Sequence, residues 1–364
     1  MIRILQCVND MHRAGLETML MNYYRNIDRD KIQFDFLTHR PNRSDYDDEI
    51  ESLGGKMYYA PRLYPQNYPE YFKWMKRFFA EHPEYKVVHS HIDAMSYLPL
   101  KAAKAANIPV RIAHSHNTSI DKDFKYLLKQ YFRSKITSVA TDYCACGQEA
   151  GKFLFGAEKF TFIPNAIEVD KFLYNEKIRA EKRQELDIQN QFVVGHVGRL
   201  SYQKNHKLLI KIFDELQRKL PESLLLLVGV GEKEEEIRNQ VRELGLESKV
   251  RFLGNDVNEI YQAMDVFVMP SFFEGVPVVG VEAQFSDLPC IFSDKVPSEV
   301  KFNSKTKFVS LDATIEEWVN SIWATQNSKR SSDRRELQNS QYDINVAHSI
   351  LENYYLNIAA ERGL

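Results

Sequence analysis

Cysteine is scarce in this chain: Cys7, Cys144, Cys146 and Cys290 are the only four among 364 residues. None forms a C-x-x-C pair, and Cys144 and Cys146 stand too close for a common zinc spacing. Buried, reduced thiols are therefore expected rather than a disulfide frame or a zinc site. Long apolar runs are missing too. No stretch of about eighteen uninterrupted apolar residues is present, which argues against a membrane-spanning helix. The opening MIRILQCVND reads as a short strand and lacks the apolar centre of a signal peptide. Charge of one sign is lacking: 48 Lys and Arg face 50 Asp and Glu, for a net charge of -2. That balance argues against a general nucleic-acid binder. Gly (15) and Pro (13) are few, and neither internal repeats nor low-complexity tracts occur. A folded, cytoplasmic protein is expected.

At 364 residues the chain is too long for one ordinary core, so two domains are expected. Short β-branched runs alternate with longer helical patterns. IRILQCV, IQFDFLT, YKVVHSH, VRIAHSH, YCACG and KFTFIPN read as strands. LETMLMNYYRNI, YPEYFKWMKRFFAEH and DFKYLLKQYFRSKI lie between them as helices. A polar, charged connection with helical turns follows at EVDKFLYNEKIRAEKRQELDIQN. A second alternation then runs through QFVVGHVGRL, SLLLLVGVG, KVRFLG, VFVMPS and PCIFSD to a final amphipathic helix, INVAHSILENYYLNIAAE. Strands apolar almost throughout, separated by helices, imply parallel sheets covered on both faces. The expected fold is α/β, with two doubly wound, Rossmann-like domains facing a cleft. We read residues 1–170 as the first domain and 171–190 as a linker. Residues 191–340 form the second domain and 341–364 the last helix.

The run FFEGVPVVGVEAQ sets Glu274 and Glu282 eight positions apart in an otherwise apolar stretch. Burying an unpaired carboxylate is costly or shifts its pKa until it neutralises, so these two either hold a ligand or pair with arginines. Glu274 belongs to the loop after VFVMPS, where Gly275 permits an unusual conformation. Glu282 lies more than one turn inside a helix that Pro277 can begin. A sugar hydroxyl at Glu274, a ribose diol at Glu282 and phosphate oxygens at the amides of Gly275 and Val276 suit this spacing. After QFVVGHVGRL, Arg199 and Lys204 of GRLSYQKNH place two cations near a helix start, a good diphosphate site. Gly229 and Gly231 of VGVGEKEEEI let backbone approach a ligand, though G-x-G alone is a weak signal. No Asp-x-Asp pair is read where it could hold a metal, and Asp47 and Asp48 are read as a charged surface loop.

The pattern EGVPVVGVE resembles that of retaining GT-B glycosyltransferases of family four. GRLSYQKNH, VGVGEKEEEI, VRFLG, AMDVFVMPS and IPNAIEVDKF fit the same family in the same order, over nearly the whole chain. The resemblance implies that Arg199 and Lys204 bind the donor diphosphate, Glu282 the ribose and Glu274 the donor sugar. Arg251 to Gly254, including Phe252 and Leu253, would border the base. The final helix would cross back to the first domain. In the first domain the family's paired glycines after strand one appear here as RAGLET, with Gly15 and Glu17 but Ala14 in place of the first glycine. Of the strand ends HSHID and IAHSHNTS, His116 resembles the family's active-site histidine near the transferred sugar. His89 and His114 are read as structural.

The resemblance further implies a retaining transfer of a hexose or N-acetylhexosamine, with UDP the expected nucleotide and no metal. The acceptor would be a growing, lipid-linked bacterial surface glycan of the exopolysaccharide or capsule kind. A GT-B sugar-nucleotide epimerase and a non-catalytic partner subunit are the alternatives. Between Tyr71 and Ala140, Lys and Arg outnumber the acids Glu81, Glu84, Asp93, Asp121 and Asp123. With aromatics interleaved in YFKWMKRFF and FKYLLKQYF, these helices are candidates for peripheral contact with an anionic membrane.

Overall fold

The computed structural model describes residues 1–120, 125–254, 259–331 and 340–364. The chain divides into two compact units, Met1–Ile167 with Gln341–Leu364, and Glu168–Ser340.

The first unit is built on seven strands: β1 (Ile2–Cys7), β2 (Ile32–Thr38), β3 (Met57–Tyr59), β4 (Val87–Ser90), β5 (Val110–Ser115), β6 (Asp142–Ala145) and β7 (Thr161–Phe162). Their order is β3-β2-β1-β4-β5-β6-β7, and every pairing is parallel. Successive side chains of a strand point to opposite faces, so β1 feeds two cores. Ile4 packs with Leu20 and Tyr23 of the helix Gly15–Asn26 and with the terminal helix Ile344–Glu361. Leu5 and Cys7 pack on the other face with Tyr71, Met75 and Phe78 of the helix Tyr68–Glu81. All four cysteines are free and buried, as their spacing predicts.

The second unit holds β8 (Phe192–Val197), β9 (Ser223–Val228), β10 (Val250–Leu253), β11 (Val266–Met269), β12 (Cys290–Ser293) and β13 (Thr306–Val309). They form another parallel sheet, β10-β9-β8-β11-β12-β13. Leu225, Leu227, Phe213 and Trp318 lie in its core. The charged stretch read as a linker carries the helix Glu176–Glu185. Arg179 and Arg183 tie that helix to Asp265, at 2.5 and 3.1 Å, so much of the stretch is folded onto the second unit.

The terminal helix buries Ile344, Ala347, Leu351, Tyr355 and Ile358, a three-and-four spacing that lines one face. Its entry is fixed by an isolated parallel bridge between Ile167 and Asp343. Ile167 N donates to Tyr342 O (2.8 Å), and Ile344 N to Ile167 O (3.0 Å). Among the described residues, no helix is long and apolar enough to cross a membrane.

Candidate active site

In open parallel sheets, ligands gather beyond the carboxyl ends of the strands where the strand order reverses. In the second unit that point lies between β8 and β11. After β8 the chain passes Arg199 and makes a short 3-10 turn, Tyr202–Lys204, before the helix His206–Lys219. Asn205 joins them in the left-handed conformation (φ 52°), and its Nδ2 donates to Pro270 O at 3.1 Å. Asn205 thus takes a positive φ in this loop and Gly275 does not. A non-glycine residue held there is strained and needs such support.

That anchor brings the loops after β8 and β11 together. Lys204 Nζ donates to Glu274 Oε1 at 2.8 Å, and Gln203 Nε2 to Glu274 Oε2 at 3.1 Å. Gln203 also donates to Phe273 O, and Phe272 N donates back to Gln203 O. Glu274 is buried (5% exposed) and shares its charge with Lys204. The sequence singles out Lys204 and Glu274; Gln203, one position before Lys204, carries no signal of its own.

Glu282 is buried differently. It lies within the helix Val278–Phe285, and Tyr261 donates its hydroxyl to Glu282 Oε2 at 2.6 Å. Burial pushes the carboxyl up to about 7 and the tyrosine bond opposes the rise. A group with that pKa changes charge near neutrality, so a ligand that donates hydrogen bonds to it draws off a proton.

Arg199 is exposed and pairs with Glu232 at 3.1 Å. Gly229 has φ 133°, and a Cβ there would meet Gly198 O at 2.2 Å. One at Gly231 would meet Leu200 O at 2.3 Å. The missing side chains of both glycines allow close backbone packing between two strand ends. Phe252 and Leu253 lie on the edge strand β10, separated from β8 by β9, and Arg238 covers the Phe252 ring at 3.9 Å. Asp47 departs from its reading as a surface-loop acid. It is fully buried at the start of the helix Asp47–Ser52 and accepts the Tyr59 hydroxyl at 2.5 Å. Neighbouring Asp48 is exposed and pairs with Arg43.

In the first unit the order reverses between β1 and β4. Gly15 opens the helix after β1, preceded by Ala14 in an extended conformation. His89 and His91 come from β4 and its end, His114 and His116 from β5 and its end. The four rings stack and tilt against each other at centroid distances of 4.0 to 5.3 Å. His116 is fixed from its backbone: its N–H donates to Asp93 Oδ1 at 2.8 Å, while Asn117 Nδ2 donates to Asp93 Oδ2 at 2.7 Å. Burial pushes the His116 imidazole down to about 3, and His89, His91 and His114 lie well below the usual histidine range for the same reason. Nitrogens of His89, His91 and His114 lie within 4.8 Å of one another, near enough to share a cation. Five of their six ring nitrogens are already engaged in hydrogen bonds, however. The cluster is a hydrogen-bonded network.

Two parallel, doubly wound sheets, each with polar groups at its reversal point, are the architecture of the GT-B fold. Residues 13–171 match Glycosyltransferase Family 4 and residues 178–339 match Glycosyl transferases group 1. EpsF of Bacillus subtilis (strain 168), a glycosyltransferase by name, is 37% identical over 375 residues, covering 99% of this chain and 97% of that protein. The chain belongs to this glycosyltransferase family. The Escherichia coli UDP-Gal:alpha-D-GlcNAc-diphosphoundecaprenol alpha-1,3-galactosyltransferase is 29% identical over 58% of each chain. Among solved structures, Anabaena HepE in complex with UDP-glucose superposes with a TM-score of 0.80 at 19% identity, covering 98% of this chain and all of that one.

Proposed function

We propose that the protein is a retaining, metal-independent glycosyltransferase. It moves a hexose or N-acetylhexosamine from a UDP-sugar to a growing, lipid-linked bacterial surface glycan, in exopolysaccharide or capsule assembly. The observation that carries this reading is the Lys204–Glu274 pair, held at 2.8 Å where the second sheet reverses. HepE in complex with UDP-glucose and the E. coli enzyme's diphosphoundecaprenol acceptor support the donor and acceptor classes.

When the sugar–phosphate bond breaks, negative charge grows on the diphosphate. Arg199 and Lys204 neutralise it as preorganised cations, so no divalent ion is required. Glu274 holds a hydroxyl of the sugar and steers Lys204, and Glu282 binds the ribose diol. Amides of Gly275 and Val276 meet phosphate, while Gly15 and Gly229 lie near donor and Phe252 and Leu253 border the base. His116 contacts the transferred sugar. The acceptor hydroxyl attacks the face the diphosphate leaves, and a phosphate oxygen takes its proton, so no protein nucleophile is used.

Arg199→Ala is the cleaner test of the cations. Lys204→Ala would leave Glu274 buried without its cation, a change that costs roughly 3–5 kcal/mol of stability. Arg199 is exposed, so its removal should leave the melting temperature unchanged. Turnover should nonetheless fall roughly 100- to 1,000-fold, the usual cost of one preorganised donor. Sugar transfer from radiolabelled UDP-sugars should survive EDTA. Activity abolished by EDTA but indifferent to Arg199→Ala would refute the mechanism.

A further inference from the structure

The histidine network continues beyond the histidines. Gln6 of β1 and Tyr355 of the terminal helix are both buried and belong to it. Gln6 Nε2 donates to the Tyr355 hydroxyl at 3.1 Å, and Gln6 Oε1 faces His91 Nε2 at 2.8 Å. His91 Nδ1 lies 3.0 Å from His116 Nε2. On the other branch, the Tyr355 oxygen lies 2.6 Å from His89 Nδ1, and His89 Nε2 lies 3.2 Å from His114 Nδ1. Burial keeps all four imidazoles neutral at physiological pH. Each ring therefore has one N–H and one bare nitrogen.

With Gln6 Oε1 facing His91, the branch through His91 to His116 has one arrangement of protons. An amide oxygen has none to give, so His91 donates from Nε2 and its Nδ1 is bare. The contact with His116 then needs a proton from His116, which sits on Nε2. Tyr355 accepts from Gln6 and meets His89 Nδ1 either through its proton or through its second lone pair, so this branch has two directions. When Tyr355 donates, His89 passes its Nε2 proton to His114 Nδ1 and the last N–H of that branch sits on His114 Nε2. That atom is buried and has no partner among the described residues.

We propose that Gln6 is a positioning residue for the transfer reaction: through His91 it fixes the His116 proton on Nε2 and leaves Nδ1 as a bare acceptor. His116 then meets a sugar hydroxyl as a hydrogen-bond acceptor and favours donors that offer a hydroxyl there. This last step rests on the role of His116 proposed above, whereas the proton arrangement does not.

The test is nitrogen NMR of the full chain with labelled histidine at neutral pH, with resonances assigned by single His→Gln substitutions. His116 should show a protonated Nε2 and a pyridine-like Nδ1, with His91 in the same Nε2–H form. A Nδ1–H tautomer at His116, a charged imidazole in the cluster, or a bound transition metal in the purified protein would overturn the proposal. Gln6→Leu should give mixed His116 tautomers and lower turnover roughly three- to tenfold, the worth of about one ordinary hydrogen bond. UDP affinity should stay within about twofold, by the same reckoning that no nucleotide contact is lost. Should Gln6→Leu not fold, Tyr355→Phe removes the hydroxyl that anchors the Gln6 amide, and the same mixed tautomers are expected. A confirmed tautomer with unchanged turnover in the variant would overturn the contact of His116 with sugar and leave the proton arrangement standing.

Discussion

Glu282 is a carboxylate tuned by its surroundings. Its folded pKa, about 7, exceeds the unfolded value of 4.5 because burial penalises the charge. The fold therefore holds the proton more tightly than the unfolded chain does. This group's contribution favours folding fully below about pH 4.5 and is lost as pH rises towards 7. The difference of about 2.5 units corresponds to roughly 3 kcal/mol. Glu282→Gln should accordingly gain stability relative to the parent between pH 5 and pH 8, as denaturant melts across that range would record. A ribose diol favours the ionised carboxylate, so UDP binding near pH 7 should release a fraction of a proton. Calorimetry in buffers of different ionisation enthalpy should detect that release, and Glu282→Gln should abolish it. Both glutamates were legible as anomalies in an apolar run, as was the nearby Lys204. Their partners were not: Tyr261 lies 21 positions before Glu282, and Lys204 lies 70 before Glu274. Nothing local in either stretch announces such a contact, because only the folded sheet makes it.

Helices between Tyr68 and Lys135 sort into two kinds once packed. Tyr71, Phe78 and Phe79 of the helix Tyr68–Glu81 are buried, and Phe72 and Trp74 pack against the same core. The basic-aromatic pattern there is a core face under exposed lysines. The helix Tyr126–Lys135 differs. Leu127 (81% exposed) and Tyr131 (53% exposed) lie four apart on one face, with Lys135 above the Tyr131 ring. If this face touches membrane, the protein should co-sediment with anionic vesicles at about 0.01 M salt and release towards 0.15 M, as screening shortens from about 30 to 8 Å. Leu127→Ser with Tyr131→Ser should weaken that binding, and equal sedimentation of parent and variant would exclude the helix. At this scale the strands were readable from apolar runs bounded by turn residues. The edge strands β3 and β13 were overlooked, being three and four residues long with a polar or half-exposed face. Such segments become strands because a neighbour offers its backbone, and periodicity in three or four residues cannot report that.

Two compact units with no shared core predict two separable unfolding events. The terminal helix belongs to the first, so Leu351→Ala, a buried large-to-small change, should cost roughly 2–5 kcal/mol there. Scanning calorimetry should show one transition lowered and the other unmoved. Equal lowering of both would mean that the units unfold as one.

The bridge at Ile167 and Asp343 also sets an order in time. Residues 168–340 leave the first unit and re-enter it at adjacent, hydrogen-bonded points. A ribosome finishes the second unit while the first still lacks a helix. Tyr355 reaches Gln6 across 349 positions of sequence, so the proton arrangement on His116 waits for the final stretch of synthesis. A nascent or clipped chain would carry the proposed phosphate-binding residues with that histidine unset, and would hold donor while transferring it more slowly.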